Sequence, residues 1–187
     1  MSYAKDSKLT SSPLLRTPVV SLLMAAALLA GCAGFGDFKF SEESGEQVIE
    51  GGTLAGSLLP FDPFTFDVNL EQELQKRDAG PAKAVNLTGL SLRVTDTEEP
   101  EGDSDDFGFM ESITLYANAD GEERQRIAWK DPVPANDQFS FETDPDVNLK
   151  PYIEKGMKLE TEASGNRPDD DTSMKATITL RVKTLSE

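Results

Sequence analysis

The side chains able to do chemistry in this 187-residue chain are few, and their types restrict what they can do. Cys32 is the only thiol, and histidine is absent. Without imidazole there is no Ser-His-Asp or Cys-His nucleophile and no His ligand for a metal. Phosphate-cradling loops of the GxxxxGK[ST] or GxGxxG form do not occur. Carboxylates are abundant, with 34 Asp plus Glu against 18 Lys plus Arg. Pairs close in sequence therefore arise by chance, and no spacing marks a glycosidase acid and nucleophile. The residues point to a chain that binds or supports rather than catalyses and that needs no cofactor. The alternative is a hydrolase whose site is assembled from distant loops.

Two acidic stretches have the composition of a hard-cation site. Residues 96–106, DTEEPEGDSDD, hold seven acids in eleven residues. Asp103, Asp105 and Asp106 could wrap a calcium ion there, which would make the protein a calcium-dependent binding or adhesion module. A charge run of this kind is more often a solvated connection between strands, and that is the expectation here. Residues 144–155, DPDVNLKPYIEK, begin with the D-x-D-x-N of an EF-hand loop. Leu149 then takes the sixth position, where Gly is needed, and Lys155 the twelfth, where a bidentate Glu belongs. Asx turns leading into a short helix account for this stretch better. Aromatic platforms for sugars are limited to Trp129, Tyr116 and Tyr152, and a half-buried structural role is expected for Trp129.

The elements that would position these residues are mostly strands. Met174, Ala176, Ile178, Leu180 and Val182 alternate with Lys175, Thr177, Thr179, Arg181 and Lys183, a period of two that predicts a long strand with one wet face. Similar alternation runs through Phe64 to Leu70, Leu90 to Val94, Ile113 to Ala117, Phe139 to Phe141 and Met157 to Leu159. Between Leu87 and Leu90 the apolar phase slips by one at Thr88-Gly89, which predicts a bulge. Ala119-Asp120-Gly121 closes a hairpin between 113–118 and 124–129, and Ser164-Gly165-Asn166 reads as a further turn. Asn69 is placed to cap a helix in which Leu70 and Leu74 share a face and Glu73 can pair with Arg77, with Gly80-Pro81 stopping it. A shorter helical turn spans 149–155 and ends at Gly156. The expected fold is all-β: an immunoglobulin-like antiparallel β-sandwich with one or two short helices, occupying residues 46–187.

The chain ahead of that domain has a different composition. Lys5, Lys8 and Arg16 precede the uncharged run VVSLLMAAALLA, Val19 to Ala30. This is the basic and apolar pattern of an export signal, too short to span a bilayer, which takes about 20 residues. It ends in Leu29-Ala30-Gly31-Cys32, and here the sequence resembles bacterial lipoprotein precursors, whose lipobox has the form Leu-Ala/Ser-Gly/Ala-Cys. The resemblance covers residues 1–33. It implies that the Cys32 thiol receives a diacylglyceryl group and that cleavage falls between Gly31 and Cys32. By composition, residues 32–45, rich in Gly, Ser and Glu, read as the lipidated tether, able to end in a first strand.

Each buried methylene of such an anchor contributes about 0.8 kcal/mol, and two chains give stable attachment. Removal of residues 1–31 takes away Lys5, Lys8, Arg16 and Asp6, leaving 15 basic and 33 acidic side chains and a formal charge of −18. Such a charge argues against nucleic acid and anionic lipid headgroups as partners, because phosphate binding needs a clustered positive face. Ala33 stands where the enterobacterial inner-membrane retention signal has Asp, so by that analogy the protein would be sorted to the outer membrane. The expectation is a lipid-anchored protein of the bacterial cell envelope, held on the membrane through its N-terminal lipid and binding or supporting a protein partner there.

Overall fold

The longest apolar alternation in the sequence is also the centre of the first sheet. In the computed structural model, which describes residues 36–52, 58–95 and 106–185, strand β10 (Thr172–Thr184) buries Met174, Ala176, Ile178, Leu180 and Val182, none more than 1% exposed. On one side β10 pairs with β4 (Ala82–Val94), whose outer edge carries β7 (Gln138–Ser140). On its other side it pairs first with β1 (Phe38–Glu43) and then with β2 (Gln47–Ile49). The second sheet contains, in order, β3 (Leu58–Leu59), β9 (Lys158–Gly165), β5 (Met110–Asn118), β6 (Gln125–Lys130) and β8 (Glu142–Thr143). All these pairings are antiparallel. The fold is an all-β antiparallel sandwich with two short helices.

The inner faces of the two sheets supply one core, in which Val85, Leu87, Leu92, Ile113, Leu115 and Ile127 are fully buried together with Phe107. The Phe107 ring meets Phe139 edge-on with centroids 4.9 Å apart, a geometry that contributes about 0.5–1.5 kcal/mol beyond area burial. The chain changes sheets next to this pair. Phe139 lies opposite Leu92 on β4, the Phe141 amide donates to the Leu90 carbonyl, and Glu142 then joins β6 opposite Trp129.

Local signals in the sequence are realised in detail. On β4, Gly89 faces Thr179 and Leu87 faces Leu180, so Thr88 is the extra residue of a bulge, and its hydroxyl donates to the Thr179 carbonyl. The 119–121 turn joins β5 to β6, and Gly121 adopts φ +76° there. Helix α1 (Leu70–Lys76) is capped by Asn69, whose Oδ1 accepts the Gln72 amide at 2.9 Å. Glu73 is buried in this helix and ion-paired with Lys76 at 2.6 Å and with Arg77. The Lys76 hydrogen bond, followed by that of Arg77, holds its carboxyl below the ordinary range against the opposing effect of burial. Helix α2 (Lys150–Glu154) buries Tyr152, and Gly156 follows it with φ +75°.

Three expectations need correction. The strand at the end of the tether is β1, paired along its whole length with β10, so the folded domain begins by Phe38 rather than at residue 46. The 64–70 alternation does not form a strand, since only Phe64 makes a bridge, to Leu159. Phe61, Phe64, Phe66 and Val68 pack on the core from irregular backbone instead, and Asn69 already caps the following helix. Ser164-Gly165-Asn166 is not the turn, because β9 runs through Ser164 to Gly165 and pairs with β5 to its end.

Candidate functional site

Cys32 and Gly31, the lipidation and cleavage positions, lie outside the described residues, as do Asp103 and Asp105. Asp106 is described and is half-buried where the chain enters β5. Its Oδ1 accepts the Gly108 amide at 2.7 Å. That bond closes a turn placing Phe107 in the core, while the Phe107 amide donates to the Asn136 carbonyl and the Met110 amide to the Phe107 carbonyl. One oxygen of Asp106 is thus engaged in holding the chain. Among the described residues no group of three or more acids, Cys or His is arranged to hold a metal ion.

If residues 96–106 are a solvated connection, their carboxylates are relieved by screening alone. Calcium chloride at matched ionic strength is then expected to raise the melting temperature no further than sodium chloride does. A true site at a hundred times Kd would add about 2.7 kcal/mol. An excess removed by Asp→Asn substitution at Asp103, Asp105 and Asp106 would establish a calcium site.

The EF-hand-like stretch is built from turns. Asp144 Oδ1 accepts the Asp146 amide at 3.0 Å, and Asn148 Oδ1 accepts both the Val85 amide at 3.0 Å and the Lys150 amide at 3.2 Å. The Leu149 amide donates to the Val85 carbonyl, so the segment lies against the edge of β4. Asp144 Oδ1 and Asn148 Oδ1 are thus engaged with the backbone, the Asx-turn arrangement. A shallow depression beside it is lined by Glu122, Asp144, Asp146 and Tyr152 among others. Glu122 is held there by Lys155, and the Tyr152 hydroxyl donates to the Glu123 carbonyl at 2.6 Å. Burial, with lesser contributions from Glu122 and Glu123, raises the Tyr152 phenol above its ordinary value.

The aromatic residues considered as sugar platforms are already partnered. The Arg126 guanidinium lies 4.3 Å from the centre of the Trp129 ring, and the indole N–H donates to Glu142 at 2.9 Å. Trp129 is half-buried, as its sequence context implies. Arg124 lies 3.5 Å from the centre of the Tyr116 ring and pairs with Glu160 at 2.8 Å and Glu162 at 2.7 Å. Hydrogen bonds from Asn118 and then Arg124 hold the Glu160 carboxyl below its usual range. These clusters cover ring faces that a sugar would need. A small cavity of about 110 Å³ is lined by Phe64, Phe66, Val68, Ile153, Gly156, Met157 and Leu159, with no polar side chain to orient a ligand.

No protein-family model matches the chain, and no curated protein matches it in sequence. Among the described residues no helix is long and apolar enough to cross a membrane. Sequence reasoning located the acidic run and the N-terminal motif because both are contiguous. It missed the Arg124–Tyr116 and Arg126–Trp129 stacks, whose only sequence signal is the arginine–aromatic composition of two neighbouring strands.

Proposed function

We propose that the protein is a lipid-anchored component of the bacterial cell envelope, attached through Cys32, whose β-sandwich acts as a binding or structural accessory module rather than as an enzyme. The observation that carries this reading is the order of residues 19–32: an uncharged apolar run followed without a gap by Leu29-Ala30-Gly31-Cys32. A thiol at that boundary is an acyl acceptor by chemistry and the first residue of the processed chain by position. The domain is compatible with attachment there. Its first strand begins at Phe38, six residues after Cys32, and it needs no disulfide, since the only cysteine is the one assigned to the lipid. With Ala33 after the cysteine, outer-membrane sorting is the preferred destination.

The test is incorporation of labelled fatty acid in a bacterial host that processes lipoproteins. The native chain is expected to take up label and to be shortened by residues 1–31. Cys32→Ser is expected to lose the label and to persist as the uncut precursor. Labelling of the Cys32→Ser variant would overturn the proposal.

A further inference from the structure

The outward side of the first sheet gathers cations from strands that are distant in sequence. Lys39 on β1, Arg93 on β4, and Lys175, Arg181 and Lys183 on β10 alternate with the buried residues of their strands, so they share one face. Lys83 is exposed beside them at the register shift between β4 and the end of β10. Lys39 stands directly opposite Arg181, and Lys175 directly opposite Arg93. Like charges directly opposed across strands are destabilising. Two acids are paired with these cations: Asp37 with Arg181, and Glu43 shared by Arg93 at 3.0 Å and Lys175 at 3.5 Å. Among the described residues, Lys39, Lys83 and Lys183 have no ion-pair partner. Six cations against two paired acids is the reverse of the composition of the chain, 34 acids to 18 bases. A sequence so rich in Asp and Glu could readily have placed acids among them.

We infer that this basic face lies against the anionic phospholipid surface of the membrane that holds the lipid anchor, an inference that rests on Cys32 being that anchor. Chain length and charge both favour this occupant. Six residues span at most about 20 Å when fully extended, so an acyl chain on Cys32 keeps Phe38, the first residue of the edge strand of this sheet, close to the bilayer. The face nearest that strand is attracted to anionic headgroups, while the acid-rich remainder of the surface is repelled by them. The two effects together orient the domain, with sheet one toward the lipid and the Arg124–Tyr116 and Arg126–Trp129 side of sheet two turned toward other partners.

The experiment uses the processed protein in vesicles of phosphatidylcholine alone or with phosphatidylglycerol, with amine acetylation read residue by residue. Lys39, Lys83, Lys175 and Lys183 are expected to react at least threefold more slowly in the anionic vesicles. Lys130, Lys150 and Lys158 should be unchanged, and the protection should vanish in 1 M salt, where the Debye length is about 3 Å. Lys39→Glu combined with Lys183→Glu, two substitutions outside the core, should remove the protection of Lys83 and Lys175 without lowering the melting temperature by more than a few degrees. Uniform reactivity in both vesicle types would overturn the inference. So would protection in neutral vesicles that grows with protein density, which would mark this face as a contact between copies of the chain. Retention on vesicles in 1 M salt reports the anchor separately. If the protein washes off, the anchor reading fails by itself, and capture of the free Cys32 thiol on maleimide-bearing lipid restores the tether so that the same lysine pattern still decides the orientation.

Discussion

Ile178→Asp is expected to unfold the domain at physiological temperature, whereas Thr179→Asp, one residue further along the same strand, is expected to leave it folded. Ile178 is 1% exposed on the inner face of β10, opposite Leu90 of β4. A carboxylate there either sheds its hydration, at a cost of several kcal/mol, or takes up a proton, and it also forfeits the burial of the isoleucine side chain, about 1.5–3 kcal/mol. Domain stabilities run to about 5–15 kcal/mol, so the sum removes most or all of the margin. Thr179 points the other way, and its hydroxyl meets Ser41 across the strands at 2.9 Å among exposed groups. Its replacement forfeits that bond and keeps the new charge in water, a change of about 1 kcal/mol. Urea denaturation of the two variants followed by circular dichroism measures the difference. Equal midpoints would mean that β10 faces the other way.

Gly165→Ala is expected to cost about 2–5 kcal/mol, far more than Gly156→Ala at about 1–2 kcal/mol. Both glycines have positive φ, +147° and +75°. At Gly156 an added Cβ meets nothing within 4 Å, so the expected loss is that of the left-handed backbone alone. At Gly165 the same atom would lie 2.3 Å from the Phe109 carbonyl oxygen and 2.9 Å from the Met110 Cα. Both obstacles are backbone, of the residue leading into β5 and of its first residue, and cannot swing aside. The clash falls where β9 and β5 change register between Met110 and Ser112, beside the turn through which Asp106 seats Phe107. The substitution should therefore loosen the entry to β5 as well as the end of β9. Amide exchange at Met110 and Asn166, compared between the two variants, is the direct measurement, since the Asn166 amide donates to the Phe109 carbonyl that the new methyl would displace.

What the sequence by itself determined is whatever depends on neighbours a few residues apart. The inward residues of β10, the Asn69 cap, the Glu73–Arg77 pair, the Thr88 bulge and the 119–121 turn are all set by spacings of one to four residues, and all are present. Alternating burial along the strands followed from the same local rule, and with it the two-sheet sandwich. The Leu29-Ala30-Gly31-Cys32 segment is contiguous as well, lies outside the described residues, and enters only through the proposed function.

Only the tertiary structure decided which strands stand side by side. Nothing local places β10 between β1 and β4, draws Phe38–Glu43 out of the tether into the sheet, or carries Gly165 through to the end of β9 against its turn-like composition. Alternation alone misled at Phe64 to Leu70, where only Phe64 bridges Leu159 and the chain turns into the helix capped by Asn69. The basic face of sheet one was invisible for the same reason. Lys39, Arg93 and Arg181 are scattered through an acidic chain, and only the register of three antiparallel strands, chosen by the burial of the residues between them, sets their charges next to one another.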